Sequence, residues 1–125
     1  MPERPALSKG ELEVARVLWE LRKATVREVH DAFPDERAID FSTVQTYLRR
    51  LETKGYVKAG LDGRVRVYSP KVRPTTVIRD TVNDLVDRLF GGETLPLMRH
   101  LIEDGRVSQD QLAELRELID RMEQE

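Results

Sequence analysis

The chain has 125 residues, 39% of them hydrophobic and 35% charged, with a formal net charge of −2 at pH 7, which suits one ordinary core with a small accessory element. It has no cysteine, which excludes disulfides, thiolate metal sites and cysteine nucleophiles, and its two histidines, His30 and His100, have no recognisable metal-ligand spacing. No stretch approaches the ~20 apolar residues of a membrane span, and the first residues lack the apolar run of a secretory signal, so we expect a cytoplasmic protein without a metal or cofactor.

Two capping boxes predict the first two helices. Ser8 is followed three residues later by Glu11, and apolar residues then recur at helical spacing, which predicts a helix over about residues 9–21. Thr25 and Glu28 repeat the box before "VREVHDAF", and Pro34 stops this shorter second helix.

A third helix is predicted between a cap at Asp40 or Ser42 and Gly55, which is placed to end it. Its apolar residues lie at positions i, i+3, i+4 and i+7 and so share one face. They are Val44, Tyr47, Leu48 and Leu51.

Residues 56–70 change from a helical to an alternating period, which predicts a β-hairpin. We expect Asp62 and Gly63 to form a two-residue type I′ turn, with positive φ at both positions. Val57, Ala59 and Leu61 share one face of the first strand. With Val65 and Val67 turned inward, the second strand would present its other residues outward. These are Arg64, Arg66 and Tyr68. Three helices followed by a hairpin is the order of a winged helix-turn-helix.

The remaining residues predict three more helices: one over about residues 75–90 ended by Gly91 and Gly92, a short one near residues 95–102, and one behind a Ser108/Gln111 capping box. Helices this small bury little alone, so we expect their apolar stripes to pair with a second copy; the alternative is packing back onto the winged helix. The residues expected in the dimer interface are Ile78, Val82, Leu85, Leu89, Leu112, Leu115, Ile119 and Met122. The predicted fold is mostly α with a small β-hairpin: a winged-helix DNA-binding domain over residues 1–74 and a helical dimerisation domain over residues 75–125.

The near-neutral total conceals a charge asymmetry. Residues 1–74 carry 15 Lys and Arg against 11 Asp and Glu, whereas residues 75–125 carry 6 against 12. Residues 41–74 alone carry 8 basic and 2 acidic side chains. A basic first half can bind nucleic acid, or it can simply present a solvated basic face.

The third helix favours DNA contact. At 100° per residue, small hydroxyl, amide and basic side chains lie opposite its apolar face, and no acid occurs from Phe41 to Leu51. The expected DNA-binding residues of this helix and the hairpin are Ser42, Thr43, Gln45, Thr46, Arg49, Arg50, Arg64 and Arg66. The alternative is a winged helix used as a protein–protein interaction module without specific DNA binding. Neither histidine has a neighbouring nucleophile, so no catalytic residue is expected.

Five segments in order resemble the penicillinase repressor (BlaI/MecI-like) family of winged-helix transcriptional regulators. They are "LSKGELEVARVLWE", "ATVREV", "STVQTYLRRLETKGYV", "GRVRVYSP" and "RLFGG". The resemblance covers nearly the whole chain. It implies an N-terminal winged-helix DNA reader, a C-terminal helical dimerisation domain, and repression by a homodimer on an inverted-repeat operator.

The chain departs from this family in two respects. The β-lactam-responsive members are cut at an Asn-Phe bond, but Phe33, Phe41 and Phe90 here follow Ala, Asp and Leu. The copper-responsive relatives use a cysteine-rich tail, and this chain has no cysteine. The resemblance therefore leaves open whether a signal-linked protease or another inducer relieves repression.

Overall fold

The computed structural model describes residues 4–125, which form six helices and one two-stranded antiparallel sheet. The elements in chain order are α1 (Lys9–Leu21), α2 (Val26–Ala32), α3 (Phe41–Thr53), β1 (Val57–Asp62), β2 (Val65–Pro70), α4 (Pro74–Phe90), α5 (Leu95–Glu103) and α6 (Gln109–Glu123). The chain divides into two compact units, Met1–Asp80 and Thr81–Glu125. The boundary between these units lies inside α4, and the sequence prediction placed the domain boundary between residues 74 and 75.

The capping boxes begin α1 and α2 as predicted. The Ser8 hydroxyl accepts from the backbone N–H of Glu11, and the Glu11 carboxylate accepts from the backbone N–H of Ser8 at 2.8 Å. Thr25 and Glu28 make the same reciprocal pair. Each box satisfies two backbone donors that a helix leaves without intrahelical partners.

Helix α3 packs its predicted apolar face into the core of the first unit. Val44, Leu48 and Leu51 are fully buried, among side chains from α1, α2 and the sheet. Asp40 is its N-cap residue but makes no side-chain cap hydrogen bond. Helices α1 and α3 approach closely because Gly10 has no side chain: a Cβ at that position would lie 2.5 Å from Cζ of Tyr47.

The hairpin is joined to the helices through backbone hydrogen bonds. Strands β1 and β2 pair from Val57 opposite Pro70 to Asp62 opposite Val65. Ala24, just before α2, extends the pairing: its N–H donates to the Tyr68 carbonyl at 2.9 Å, and the Tyr68 N–H donates back at 2.8 Å. The β-hairpin is therefore held against the helices near its base, and its turn end is the exposed tip of a wing.

The predicted turn type is wrong. Since Asp62 pairs with Val65, the two central turn residues are Gly63 and Arg64. Gly63 has φ +65° and is the only one of the four turn residues, Asp62 to Val65, with a positive φ. Type I′ needs positive φ at both central positions, whereas glycine at the first position is what type II′ requires.

The predicted orientation of β2 is also wrong. Tyr68 is buried and Val65 is exposed, so the face of Tyr68, not that of the valines, packs on the core. Ala59 and Leu61 lie opposite Tyr68 and Arg66, and therefore share this face. Alternation shows that two faces exist, but the larger apolar area of the tyrosine ring decides which one is buried.

The second unit contains the rest of α4 together with α5 and α6, at the positions predicted. Gly91 and Gly92 follow α4 with φ of +61° and +88°, a conformation that L residues rarely adopt. Ser108 and Gln111 form the predicted capping box of α6. Val86 is buried, but most large apolar side chains of this unit are exposed.

Candidate nucleic-acid interface

The side of α3 that faces away from the core is polar and basic. Ser42, Thr46, Arg49, Arg50 and Thr53 are exposed, while Thr43 and Gln45 are half-buried at its edges. This follows from the buried positions of Val44, Leu48 and Leu51, because residues three and four apart share one side of a helix. The structure therefore brings together the α3 residues predicted to contact DNA. We call the exposed residues, from Ser42 to Thr53, the reading face.

The threonine hydroxyls of the reading face have defined partners. Oγ1 of Thr46 donates to the carbonyl of Ser42, and Oγ1 of Thr53 donates to the carbonyl of Arg49, both at 3.0 Å. With its proton used inside the helix, each hydroxyl oxygen can still accept a hydrogen bond. The amino groups of cytosine and adenine are such donors in the major groove, and a threonine methyl can contact a thymine methyl.

The arginines of the reading face keep their charge available. Neither Arg49 nor Arg50 forms an ion pair within residues 4–125. The Arg50 guanidinium lies over the Tyr47 ring, 5.8 Å from its centroid. A ring under a guanidinium restricts its motion while leaving its N–H donors free for a phosphate or a guanine edge.

Lys54, next to the reading face, is not a free cation. Its ammonium donates to the Glu11 carboxylate at 2.6 Å and to the carbonyl of Ala6 at 2.9 Å. Burial raises the pKa of Glu11, but the hydrogen bonds from Lys54 and Ser8 and the Lys54 charge outweigh it, so the pKa of Glu11 lies below its usual value. The positive charge on this side of α3 therefore comes from Arg49 and Arg50.

The wing contributes its two arginines differently. Arg64 is exposed in the turn, as expected for a side chain that reaches DNA. Arg66, however, does not point away from the core: it shares the face of Tyr68 and donates to the Glu52 carboxylate of α3 at 3.2 Å. The prediction that Arg64 and Arg66 both lie on an outward face is wrong for Arg66, because Tyr68 rather than Val67 faces inward. The wing tip also exposes Leu61, 75% accessible.

Sequence reasoning missed Glu52 as a partner of the wing. Its carboxylate is the acid of α3, and it holds Arg66 across the interface between the helix and the hairpin. The sequence feature that could have identified Glu52 is its position as an isolated acid in a basic region. Such an acid is a candidate partner for a nearby cation.

The predicted dimerisation residues are largely uncovered in the single chain. Seven of the eight are exposed and Leu112 is half-buried, with Leu89 and Met122 at 68% and 65%. Large exposed apolar patches commonly mark interaction sites, so these residues stay candidates for a dimer interface.

Other kinds of site find no support in the described part of the chain. No group of three or more His, Cys, Asp or Glu side chains is placed there to hold a metal ion. His30 has a structural contact instead, with Nε2 2.8 Å from the carbonyl of Ile39. Among residues 4–125, no helix is both long and apolar enough to cross a membrane.

Comparison with known proteins identifies the family. The family model described as penicillinase repressor matches residues 7–121. The penicillinase repressor of Bacillus licheniformis is 27% identical over 120 residues, covering 96% of this chain and 94% of that protein. The methicillin resistance regulatory protein MecI of Mammaliicoccus sciuri is 23% identical over 115 residues, covering 92% and 94%.

A solved structure matches the first unit. The solution structure of the DNA-binding domain of the repressor BlaI is 33% identical, with a TM-score of 0.52, and covers 60% of this chain and 92% of that domain. This likeness confirms the winged-helix prediction. Because the family model extends across nearly the whole length, the chain belongs to the penicillinase repressor family, whose members are transcriptional repressors and not enzymes.

Proposed function

We propose that this protein is a sequence-specific transcriptional repressor that binds an inverted-repeat operator as a homodimer. The observation that carries the proposal is the reading face of α3, where hydroxyl and guanidinium groups are exposed and no carboxylate is present. A helix that enters the major groove needs short polar side chains near its N-terminus and cations further along. BlaI, whose DNA-binding domain has the similar fold, is itself a repressor.

In this proposal, each part of the first unit has a separate task. Thr43, Gln45 and Thr46 contact base edges, and Arg49 and Arg50 contact bases or phosphates. Arg64 at the wing tip reaches the backbone or minor groove beside the half-site. Because a repressor acts on DNA inside the cell, the proposal also places the protein in the cytoplasm.

The homodimer is proposed on the exposed apolar residues of the second unit. Leu85, Leu89, Leu115 and Ile119 are all exposed, and a two-fold contact would remove them from water. The second half of the chain carries 12 acidic side chains against 6 basic ones, so it would weaken DNA binding if it served affinity alone. Joining two winged helices accounts for its presence, since each half-site then raises the effective concentration of the other.

The experiment for DNA binding is an in vitro selection of fragments from the host genome. We expect enrichment of fragments that share an inverted repeat, and a variant with Arg49 and Arg50 both changed to Ala should lose the enrichment. The same substitution at Arg16, exposed on α1, is the matched control and should retain it. If the intact protein enriches no sequence, the repressor function is refuted, and use of the fold as a protein–protein interaction module becomes the better account.

The experiment for the homodimer is sedimentation of the intact protein at micromolar concentration. We expect a dimer that Leu89→Glu or Leu115→Glu converts to a folded monomer with its affinity for a single half-site unchanged. Leu21→Glu, which changes an exposed leucine of α1, is the control and should leave the dimer intact. A wild-type monomer that binds one half-site as tightly as the full repeat would refute the dimer.

A further inference from the structure

An arginine that does not belong to the reading face is held beside the first turn of α3 by an aromatic ring. Arg27 lies near the start of α2, and its guanidinium carbon is 5.7 Å from the centroid of the Phe41 ring. Phe41 is the first residue of α3, directly before Ser42. The pair therefore joins the two helices of the helix-turn-helix at the end where α3 begins.

Phe41 is an exposed aromatic residue in a fixed setting. Phe41 is 40% exposed although it belongs to a helix that buries three other apolar residues completely. The His30 ring meets the Phe41 ring in a T-shaped arrangement, with 5.9 Å between centroids and 74° between the ring planes. His30 is itself held through its contact with the Ile39 carbonyl, so the Phe41 ring contacts two side chains of α2, His30 and Arg27.

The charge of Arg27 is unused by the protein. Arg27 is exposed and forms no ion pair within the described residues, and its guanidinium lies over the Phe41 ring. An aromatic ring attracts a guanidinium without neutralising it. The Phe41 ring therefore restrains the Arg27 guanidinium but leaves its full positive charge, whereas a surface ion pair would neutralise that charge.

The position of this charge matches a DNA strand rather than a base. Phe41 lies four residues before Gln45 and so lies on the same edge of α3, outside the line of Ser42 and Thr46. In helix-turn-helix proteins, the helix that precedes the reading helix crosses the DNA backbone. A guanidinium on α2, one ring away from the first turn of α3, is placed for the phosphate that flanks the bases read by that turn.

We propose that Arg27 is a phosphate contact of the DNA interface and that Phe41 is the positioning residue that holds its guanidinium against the first turn of α3. This inference rests on the proposed function. It adds a contact from α2 to the contacts already assigned to α3 and the wing, and it gives the exposed ring a role in binding rather than in the core.

The test is the salt dependence of DNA affinity for the full-length protein. The probes are a genomic fragment enriched by the selection above and a mixed-sequence duplex. Arg27→Ala should reduce the slope of log affinity against log salt by about 0.9 for each half-site contacted. Arg27→Lys should keep the slope because it keeps the charge. Arg16→Ala, which removes an exposed arginine from α1, is the matched control and should also keep it.

The role of Phe41 needs its own comparison. Phe41→Leu should lower affinity about two- to fivefold at every salt concentration with the slope retained, since the charge stays but is no longer held. In an Arg27→Ala background the same substitution should cost nothing further. Thermal unfolding of each variant tests whether it is folded. Leucine is used at position 41 because it keeps apolar bulk there, so the variant can fold even if Phe41→Ala does not.

Two results would overturn the inference. A slope for Arg27→Ala equal to that of the wild type, or an equal fall for Arg16→Ala, would remove Arg27 as a specific phosphate contact. An equal loss from Phe41→Leu in both backgrounds would remove Phe41 as its positioning residue. If the selection enriches no fragment, the proposed repressor function fails instead, and the slope on the mixed-sequence duplex still decides whether Arg27 contacts phosphate.

Discussion

Lys54 should be the charged side chain whose removal destabilises the first unit most, because it pairs with the buried carboxylate of Glu11. The Glu11 side chain is 2% exposed and that of Lys54 is 24% exposed, with 2.6 Å between the charged atoms. Lys54→Met removes the cation, keeps most of the side-chain length, and leaves a buried carboxylate without its counter-ion. Glu11 would then retain only the hydrogen bonds of its capping box with Ser8.

The expected loss can be bounded from the burial of the two groups. Breaking a fully buried pair by removing one partner costs about 3–5 kcal/mol. Since Lys54 is partly exposed, water already weakens the pair, and we expect about 2–3 kcal/mol near neutral pH. For a unit of this size, that corresponds to a fall in the unfolding midpoint on the order of 10 °C or more.

The pH dependence gives the prediction its sign. The pKa of Glu11 is lowered in the folded protein, so its contribution to stability is fully present above the ordinary glutamate value of 4.5 and is lost as the pH falls through the lower folded value. Without Lys54, only the hydrogen bonds with Ser8 remain to offset the burial of Glu11. The difference in stability between wild type and Lys54→Met should therefore be largest near neutral pH and should shrink as the carboxyl is protonated.

The assay is thermal or denaturant unfolding of the intact protein at fixed protein concentration, from neutral pH to about pH 3. The double variant Glu11→Gln with Lys54→Met buries no charge and should recover most of the loss. Arg37→Met, which breaks the more exposed pair with Glu13, is the control and should cause a much smaller loss. A loss that is the same at all pH values, or that the double variant does not recover, would refute the reasoning and point to lost packing of the lysine chain.

Thr46→Ala should change base preference by about 1–3 kcal/mol at one position of each half-site, and an unchanged preference in a repeated selection would exclude it as a base contact. Arg64→Ala should flatten the salt slope more than Arg66→Ala, because the Arg66 guanidinium already binds a carboxylate of α3; equal effects would contradict the assignment. Gly10→Ala should destabilise the wild type, since its Cβ would lie 2.5 Å from the Tyr47 ring, yet stabilise a Tyr47→Ala background by about 1 kcal/mol. If unfolding measurements show stabilisation in both backgrounds, the Tyr47 ring moves aside at no cost; if they show destabilisation in both, the loss does not come from Tyr47.

Local features of the chain were predictable from the sequence. The Ser8/Glu11, Thr25/Glu28 and Ser108/Gln111 boxes begin their helices as expected, because both partners of each box lie within one turn. The exposed side of α3 was predictable for the same kind of reason. Once Val44 and Leu48 face the core, the geometry of a single helix places Thr46 and Arg49 outside.

Contacts between distant parts of the chain were decided by tertiary structure. In the sequence Lys54 is one more cation of a basic region, but in the folded protein it pairs with Glu11, 43 positions earlier. The hairpin alternates in the sequence, but which side is buried depends on what the helices offer to Tyr68, and that choice in turn directs Arg66 to Glu52. A residue pattern specifies the period and caps of one element, whereas the charge available at a surface depends on which side chains the packed elements bring within hydrogen-bonding distance.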